Sequence, residues 1–396
     1  MSKKIFLVIG LVLFGAVSLG YWHFFENEPE AQKAAERELS QLGSERVADD
    51  TTIRLIATGD TIAHDSINAA AEQSDGSYDY YQLMNNMQPF FDGADIRFCN
   101  QATPAGGEEF EITGYPVFNA PFEFTQDMVK LGCNVVNTGT NHTYDKGQPL
   151  IDAMVEEWDK QDVLAHAGAN SSGEDKTTVK YFEIKGVKFA FLAYSTYSNK
   201  PITNGYGITE YSRELASNQL KEASEKADIS IVSMRWGTEY SAGINKLQDR
   251  ISQELADMGA DVVLGHGPHV LEPVKKIKGS GGNQTIVWYS LGNFLNTQLD
   301  VESLTGIIAV MDIDTSTKNI KITGAMPIYN HYEWTAEQKQ AQDLLARKNI
   351  EMYPLDQSAD ELKRSQHNTA PQAQTARIKG ILNEFLPVPI IKSTEY

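Results

Sequence analysis

The chain has 396 residues, of which 41% are hydrophobic and 22% charged, and it carries a formal net charge of −19. These are the fractions of an ordinary globular protein, and the length allows two or more domains or a single large α/β unit. The charge excludes nucleic acid and anionic membrane surfaces as broadly held partners, since both need a basic footprint, but leaves room for an anionic ligand at a locally basic site.

In chain order, Lys3 and Lys4 precede an uncharged apolar run over residues 5–20, and Tyr21, Trp22, Phe24 and Phe25 follow it. That order suits a transmembrane helix with its positive end in the cytoplasm and an aromatic belt at the outer interface. A cleaved secretory signal is the competing interpretation, with Ala16, Val17 and Ser18 as the cleavage site. Either way the rest of the chain is expected outside the cytoplasm, single-pass if the anchor is retained. Residues 26–50, rich in Ala, Glu, Gln and Ser, are expected to form a helical or disordered stalk. Only Cys99 and Cys133 are present, so no disulfide framework supports the fold. With one near the end of a strand and the other before the start of its parallel neighbour, they are expected to lie too far apart to bridge.

The folded part is expected to begin at Thr51. Strands are predicted over residues 52–58, 94–99, 133–138 and 162–166, then a hairpin over 179–184 and 188–194. Further strands are expected over 228–234, 261–264, 286–289, 306–313 and 318–325. Apolar spacing predicts helices over 78–91, 121–130, 148–160, 214–226 and 244–259. Residues 103–119 are expected to loop over a site mouth, and 195–211 to form a polar surface loop. The chain from Tyr332 is expected to be helical, then loosely structured over 366–375 with one more helix over 376–385, giving a C-terminal helical extension over 331–396 after a main domain over 51–330.

Five predicted strands end in polar groups. Asp60 follows the first, where it can be a metal ligand or a helix N-cap. Asn100 and Gln101 end the second. Asn141 and His142 follow the third, with Asp145 placed to orient His142 as an acid or base, although capping and turn chemistry explain Asn141 and Asp145 as well. Arg235 and Glu239 lie just beyond the strand over 228–234. His266 and His269 stand in DVVLGHGPHVLEPV, where Gly265, Gly267 and Pro268 stop a short apolar strand. Either histidine alone is weak evidence for a metal, but as a pair among other polar strand ends they become candidate ligands.

Taken in order, GDT, FCNQATP, TGTNHTYDKG, SMRWGTEY, GHGPHVLEPV and YSLGNFL resemble the CapA family of poly-gamma-glutamate capsule biosynthesis proteins over residues 53–313. The resemblance implies an α/β calcineurin-like metallophosphatase sandwich of four layers, two mixed sheets flanked by helices. It also implies a membrane-tethered, extracellular protein acting with a membrane-bound polymer synthase on an anionic polymer of glutamates. Asp60, Asn141, His266 and His269 then match metal ligands. Arg235 stands where the family has a histidine, and Asn100-Gln101-Ala102 where it has Asn-Leu-Glu or Asn-Phe-Glu. Arg cannot ligate a cation and repels one, and at an effective dielectric of about 20 each lost negative or gained positive charge opposes a dinuclear site by on the order of several kcal/mol. The expectation is one divalent ion (Mn, Zn or Fe) or none. Asn100, Gln101, Arg235 and Glu239 would contact substrate, or Arg235 would simply pair with Glu239 or Asp60. The function implied is polymer or partner binding in a degenerate cleft; the alternative is a metal-dependent hydrolase with His142 as proton donor and Asp145 orienting it.

Overall fold

The computed structural model describes residues 51–396. The expected anchor and stalk lie outside the described residues, and among those described no helix is long and apolar enough to cross a membrane. Two mixed sheets form the frame, and the chain lays them down in three passes. The first gives β1 (Thr52–Thr61), β2 (Ile96–Gln101), β3 (Val135–Asn137) and β4 (Ala165–Ala167). The second gives β5 (Lys180–Ile184), β6 (Val187–Ser195), β7 (Ile229–Arg235), β8 (Val262–His266), β9 (Val274–Lys278) and β10 (Gln284–Trp288). The last returns through β11 (Asn293–Leu295), β12 (Thr305–Asp314), β13 (Ile320–Glu333) and β14 (Lys348–Pro354). The larger sheet has the order β14-β13-β12-β1-β2-β3-β4, with β11 also pairing β1, and the smaller has β5-β6-β7-β8-β10-β9.

Side-chain alternation explains how the sheets pack. In β6, Phe189, Phe191 and Ala193 join the large core shared with Ile53, Leu55 and Phe98 of the other sheet. Ala190, Leu192 and Tyr194 point the other way, onto Ala216 and Leu220 of the helix Arg213–Lys226 and Ile251 and Leu255 of the helix Lys246–Asp257. The rings of Phe98 and Phe191 meet between the sheets with centroids 6.1 Å apart. The two mixed sheets of the expected sandwich are therefore present, with strands apolar on both faces as a doubly covered sheet requires.

Several expectations change. The predicted helix over 78–91 is broken into Tyr81–Met84, a 3-10 turn Asn85–Met87 and Gln88–Asp92, because Pro89 lacks the N–H a continuous helix would use. Instead of a helix from Tyr332, β13 runs on to Glu333 and β14 pairs antiparallel with it, Tyr329 opposite Tyr353. The cysteines do bridge: Cys99 and Cys133 form a disulfide with Cα atoms 5.8 Å apart. The parallel pairing of β2 with β3 stands, with Cys99 opposite Val136. What fails is the assumption that Cys133 lies along the strand axis. Its N–H still donates to Met128 O at the end of the helix Phe122–Leu131, so Cys133 belongs to the helix exit and β3 begins only at Val135.

Candidate functional site

The carboxyl ends of β1, β2, β7 and β8 deliver Asp60, Asn100, Arg235 and His266 to one end of the sheets, the position where parallel strands of α/β folds bind ligands. Register fixes the neighbours: Asp60 lies opposite Asn100, Asn100 opposite Asn137, and Arg235 opposite His266. Gly59 is needed just before Asp60, because a Cβ there would fall 2.0 Å from Gly292 O. The close approach lets the Asp60 N–H donate to that carbonyl at 3.0 Å.

Asp60 is fully engaged. Its Oδ1 accepts from Asn100 Nδ2 at 2.5 Å, and Asn100 Oδ1 in turn accepts from Asn137 Nδ2 at 2.6 Å. Its Oδ2 accepts from Gly267 N–H at 3.2 Å and faces His269 Nδ1 at 2.9 Å. Asn293 Oδ1 also faces His269 Nδ1, at 3.1 Å, so that nitrogen carries the proton. Burial opposes ionisation of Asp60, but the facing His269 and the Arg235 guanidinium outweigh it and hold the carboxyl below its ordinary range. His266 is fully buried; Ser233 Oγ lies 2.8 Å from its Nε2, while Nδ1 has no partner and stands 3.7 Å from Asp60 Oδ1. Burial pushes its pKa down to about 3, so the ring is neutral.

Arg235 is the second centre. It is 1% exposed, and its Nε donates to Asn141 Oδ1 at 2.8 Å and its Nη1 to Trp236 O at 3.2 Å. Nη2 donates to Tyr197 OH at 2.7 Å and to Glu239 Oε1 at 2.9 Å. The contact with Glu239 fits both roles open in the sequence, pairing and orientation of the fork. Gly267, at φ +108, leaves the space: a Cβ there would sit 2.0 Å from Arg235 Nη1. Across the cleft the turn after β3 curls back as expected, with His142 Nδ1 2.7 Å from Asp145 Oδ2, which also accepts from Phe118 N–H at 2.9 Å.

The cleft has a volume of about 340 Å³, and Asp60, Asn141, His142, Arg235, Glu239 and His269 line it. Tyr115 and Phe118 line it too, from the loop expected at the mouth. Asn100, Asp145 and His266 lie behind these residues and support them. Gln101 does not reach the cleft. Its Oε1 accepts from Trp158 Nε1 at 2.8 Å and its Nε2 donates to Thr103 O at 3.1 Å, on the opposite face of β2 from Asn100. The residue that lines the cleft two positions beyond Asn100 is Ala102, so the third position of the Asn-Leu-Glu pattern holds a methyl group and not an amide.

The expected metal ligands do not make a matching donor set. Asn141 gives its oxygen to Arg235, both oxygens of Asp60 already accept hydrogen bonds, and a guanidinium is fixed beside them. Among the described residues no group of three or more His, Cys, Asp or Glu is placed to hold a metal ion.

Sequence reasoning missed Tyr197 and Asn199, which it placed on a surface loop. Asn199 N–H donates to Asn141 O at 2.9 Å and its Oδ1 accepts from Asn141 Nδ2 at 3.1 Å. It also missed Asn137, whose place opposite Asn100 follows from strand register, Asn293, which sits in the quoted YSLGNFL motif, and His64 and Arg347, which line the cleft.

Comparison with known proteins finds relatives among capsule biosynthesis proteins. One stretch is 32% identical over 167 residues to the PGA biosynthesis protein CapA of Bacillus subtilis (strain 168), covering 41% of this chain and 43% of that protein. The capsule biosynthesis protein CapA of Bacillus anthracis is 27% identical over 190 residues, covering 46% of this chain and 44% of that one. The match thus spans less than half the length of either relative. Among solved structures, a putative 5'-nucleotidase from Staphylococcus aureus in complex with alpha-ketoglutarate superposes with a TM-score of 0.41 at 14% identity, covering 82% of this chain and 57% of that one. The calcineurin-like phosphoesterase YfkN from Bacillus subtilis gives a TM-score of 0.41 at 13% identity, covering 70% of this chain and 90% of that one. The model of the bacterial capsule synthesis protein family PGA_cap matches residues 54–298, more than half of the chain, and the protein belongs to that family.

Proposed function

We propose that this chain is a membrane-anchored component of capsule assembly, working outside the cytoplasm beside a membrane-bound polymer synthase, and that its cleft holds a carboxylate-rich polymer of the poly-gamma-glutamate kind. Family membership supports the capsule assignment, and the names of the two CapA relatives support the polymer. The Cys99–Cys133 disulfide supports an oxidising compartment. The observation that carries the binding role is the guanidinium of Arg235 bonded to Asn141 and Glu239 at the strand ends. That arrangement shapes a rigid, locally neutralised cleft floor. Isolated polar groups among apolar walls suit a chain that alternates methylene stretches with carboxylates.

A second reading, hydrolysis of the polymer, is favoured by the His142–Asp145 contact. The carboxylate holds the proton on Nδ1, so that Nε2, which Asn199 Nδ2 approaches at 3.3 Å, is the nitrogen that would exchange a proton with a bound substrate or water. One experiment separates the two. Labelled poly-gamma-glutamate is incubated with the full chain in detergent, and both binding and polymer length are followed. Binding without shortening is expected; shortening that disappears in His142→Ala would establish hydrolysis, and absence of binding would refute both.

A further inference from the structure

Among the described residues Arg347 is a buried cation without a counter-ion, at the edge of this cleft. It is 8% exposed, and its one hydrogen bond runs from Nη1 to Thr297 O at 2.6 Å. Its Nε is buried with no partner. Its Cζ lies 4.9 Å from the ring centroids of both Tyr332 and Trp334, within cation–π reach of each. Burial lowers its pKa, with Tyr332 acting to raise it, and no carboxylate among the described residues pairs with it. The contrast with Arg235, which has Glu239, is within a single cleft.

A second donor lies on the same wall. His64 Nδ1 accepts from Thr297 N–H at 3.3 Å, so the proton of the neutral ring is on Nε2, for which no partner is recorded among the described residues. His64 and Arg347 both line the cleft, and both are tied to Thr297. The other charges facing this space are already accounted for: Asp60 by His269, Glu239 by Arg235, with Asp300 exposed at the mouth.

We infer that Arg347, assisted by the Nε2–H of His64, is the specificity-determining receptor for a carboxylate of the cleft's ligand. Arg347 lies beyond the family-matched residues 54–298, directly before β14, where Lys348 pairs with Glu333 of β13. A planar fork held against two aromatic rings receives a carboxylate through two N–H groups. Apolar neighbours such as Ile62, Phe118 and Leu344 then cover the adjoining methylenes. The inference rests on the polymer-binding reading above and names the residue that would give it acid selectivity.

The test uses the full chain and two probes, a γ-linked glutamate oligomer and the same oligomer with its α-carboxylates converted to amides. The native protein is expected to prefer the acid by about 30-fold or more, and Arg347→Gln to lower that preference below about 3-fold, the loss that follows removal of one partner of a desolvated charge pair. Arg347→Lys keeps the charge without the fork and is expected to lose about 3- to 10-fold in affinity for the acid. Undiminished acid preference in Arg347→Gln overturns the inference while leaving polymer binding intact. If Arg347→Gln does not fold, native affinity in Arg347→Lys overturns it instead. Failure of the native protein to bind the acid refutes the polymer reading itself and the inference with it.

Discussion

Glu272 gives a stability signature that can be worked from the structure. Its side chain is fully buried; Oε2 accepts from Gln248 Nε2 at 2.6 Å, and Oε1 has no partner. Burial raises its pKa from an ordinary 4.5 to about 8, against the smaller effect of the Gln248 hydrogen bond. Between these values the unfolded chain has released this proton and the folded chain still holds it, so stability falls as pH rises, by about 1.4 kcal/mol per unit. His64 and His266 act in the opposite sense. Burial lowers both from 6.5 to about 3, so below 6.5 the unfolded chain binds two protons that the folded chain refuses. From 6.5 down to 4.5 the two histidines outweigh Glu272 by one proton, and stability falls with acid by about 1.4 kcal/mol per unit; below 4.5 the slope doubles to about 2.7. The expected profile peaks near pH 6.5. Glu272→Gln keeps an oxygen for Gln248 and removes the alkaline limb. Relative to the native chain it should gain on the order of 4–5 kcal/mol between pH 4.5 and 8. For roughly 350 ordered residues, with about 2.1 cal/mol/K of unfolding entropy each, that is about 6 °C in Tm at pH 8. Thermal melts of both proteins from pH 4.5 to 8.5 measure it. An alkaline limb that persists in Glu272→Gln would show that this carboxyl is not neutral in the fold.

Two further substitutions check the geometry of the cleft and its support. Gln101→Leu strips the acceptor from Trp158 Nε1 and should cost about 1–3 kcal/mol of stability in denaturant titrations, with affinity for the glutamate oligomer unchanged; a selective loss of affinity would put Gln101 back in the cleft. Gly267→Ala drives a Cβ into Arg235 Nη1 at a left-handed backbone position, so a loss of about 2–3 kcal/mol is expected, and an unchanged melt would contradict the packing of the guanidinium.

The strand ends were legible because their punctuation is chemical. Gly59 ahead of Asp60, Gly139 ahead of Asn141, and Gly265, Gly267 and Pro268 around the histidines mark places where apolar runs must stop. Less legible was which face each residue takes. Asn100 and Gln101 are adjacent amides with the same chemistry, and only the pleat sends one to Asp60 and the other to Trp158. The sequence also hid β9, whose VKKIK pattern alternates but carries too many lysines to read as a strand. β14 was hidden because its partner β13 was read as ending too early, and without β14 nothing pointed to Arg347. The disulfide was missed for a related reason: a helix exit and a strand start were treated as one straight segment at Cys133.

The contacts at the strand ends cross the seam between the sheets. Asp60, on the larger sheet, accepts from Gly267 just beyond the smaller sheet's β8, and Arg235 of the smaller sheet donates to Asn141 on the loop after β3. Hydrogen bonds of this length do not survive a slip of one ångström, so the cleft floor works as a fastening between two otherwise apolar slabs. Any sideways load on the two slabs would fall first on these two bonds, Gly267 N–H to Asp60 and Arg235 to Asn141.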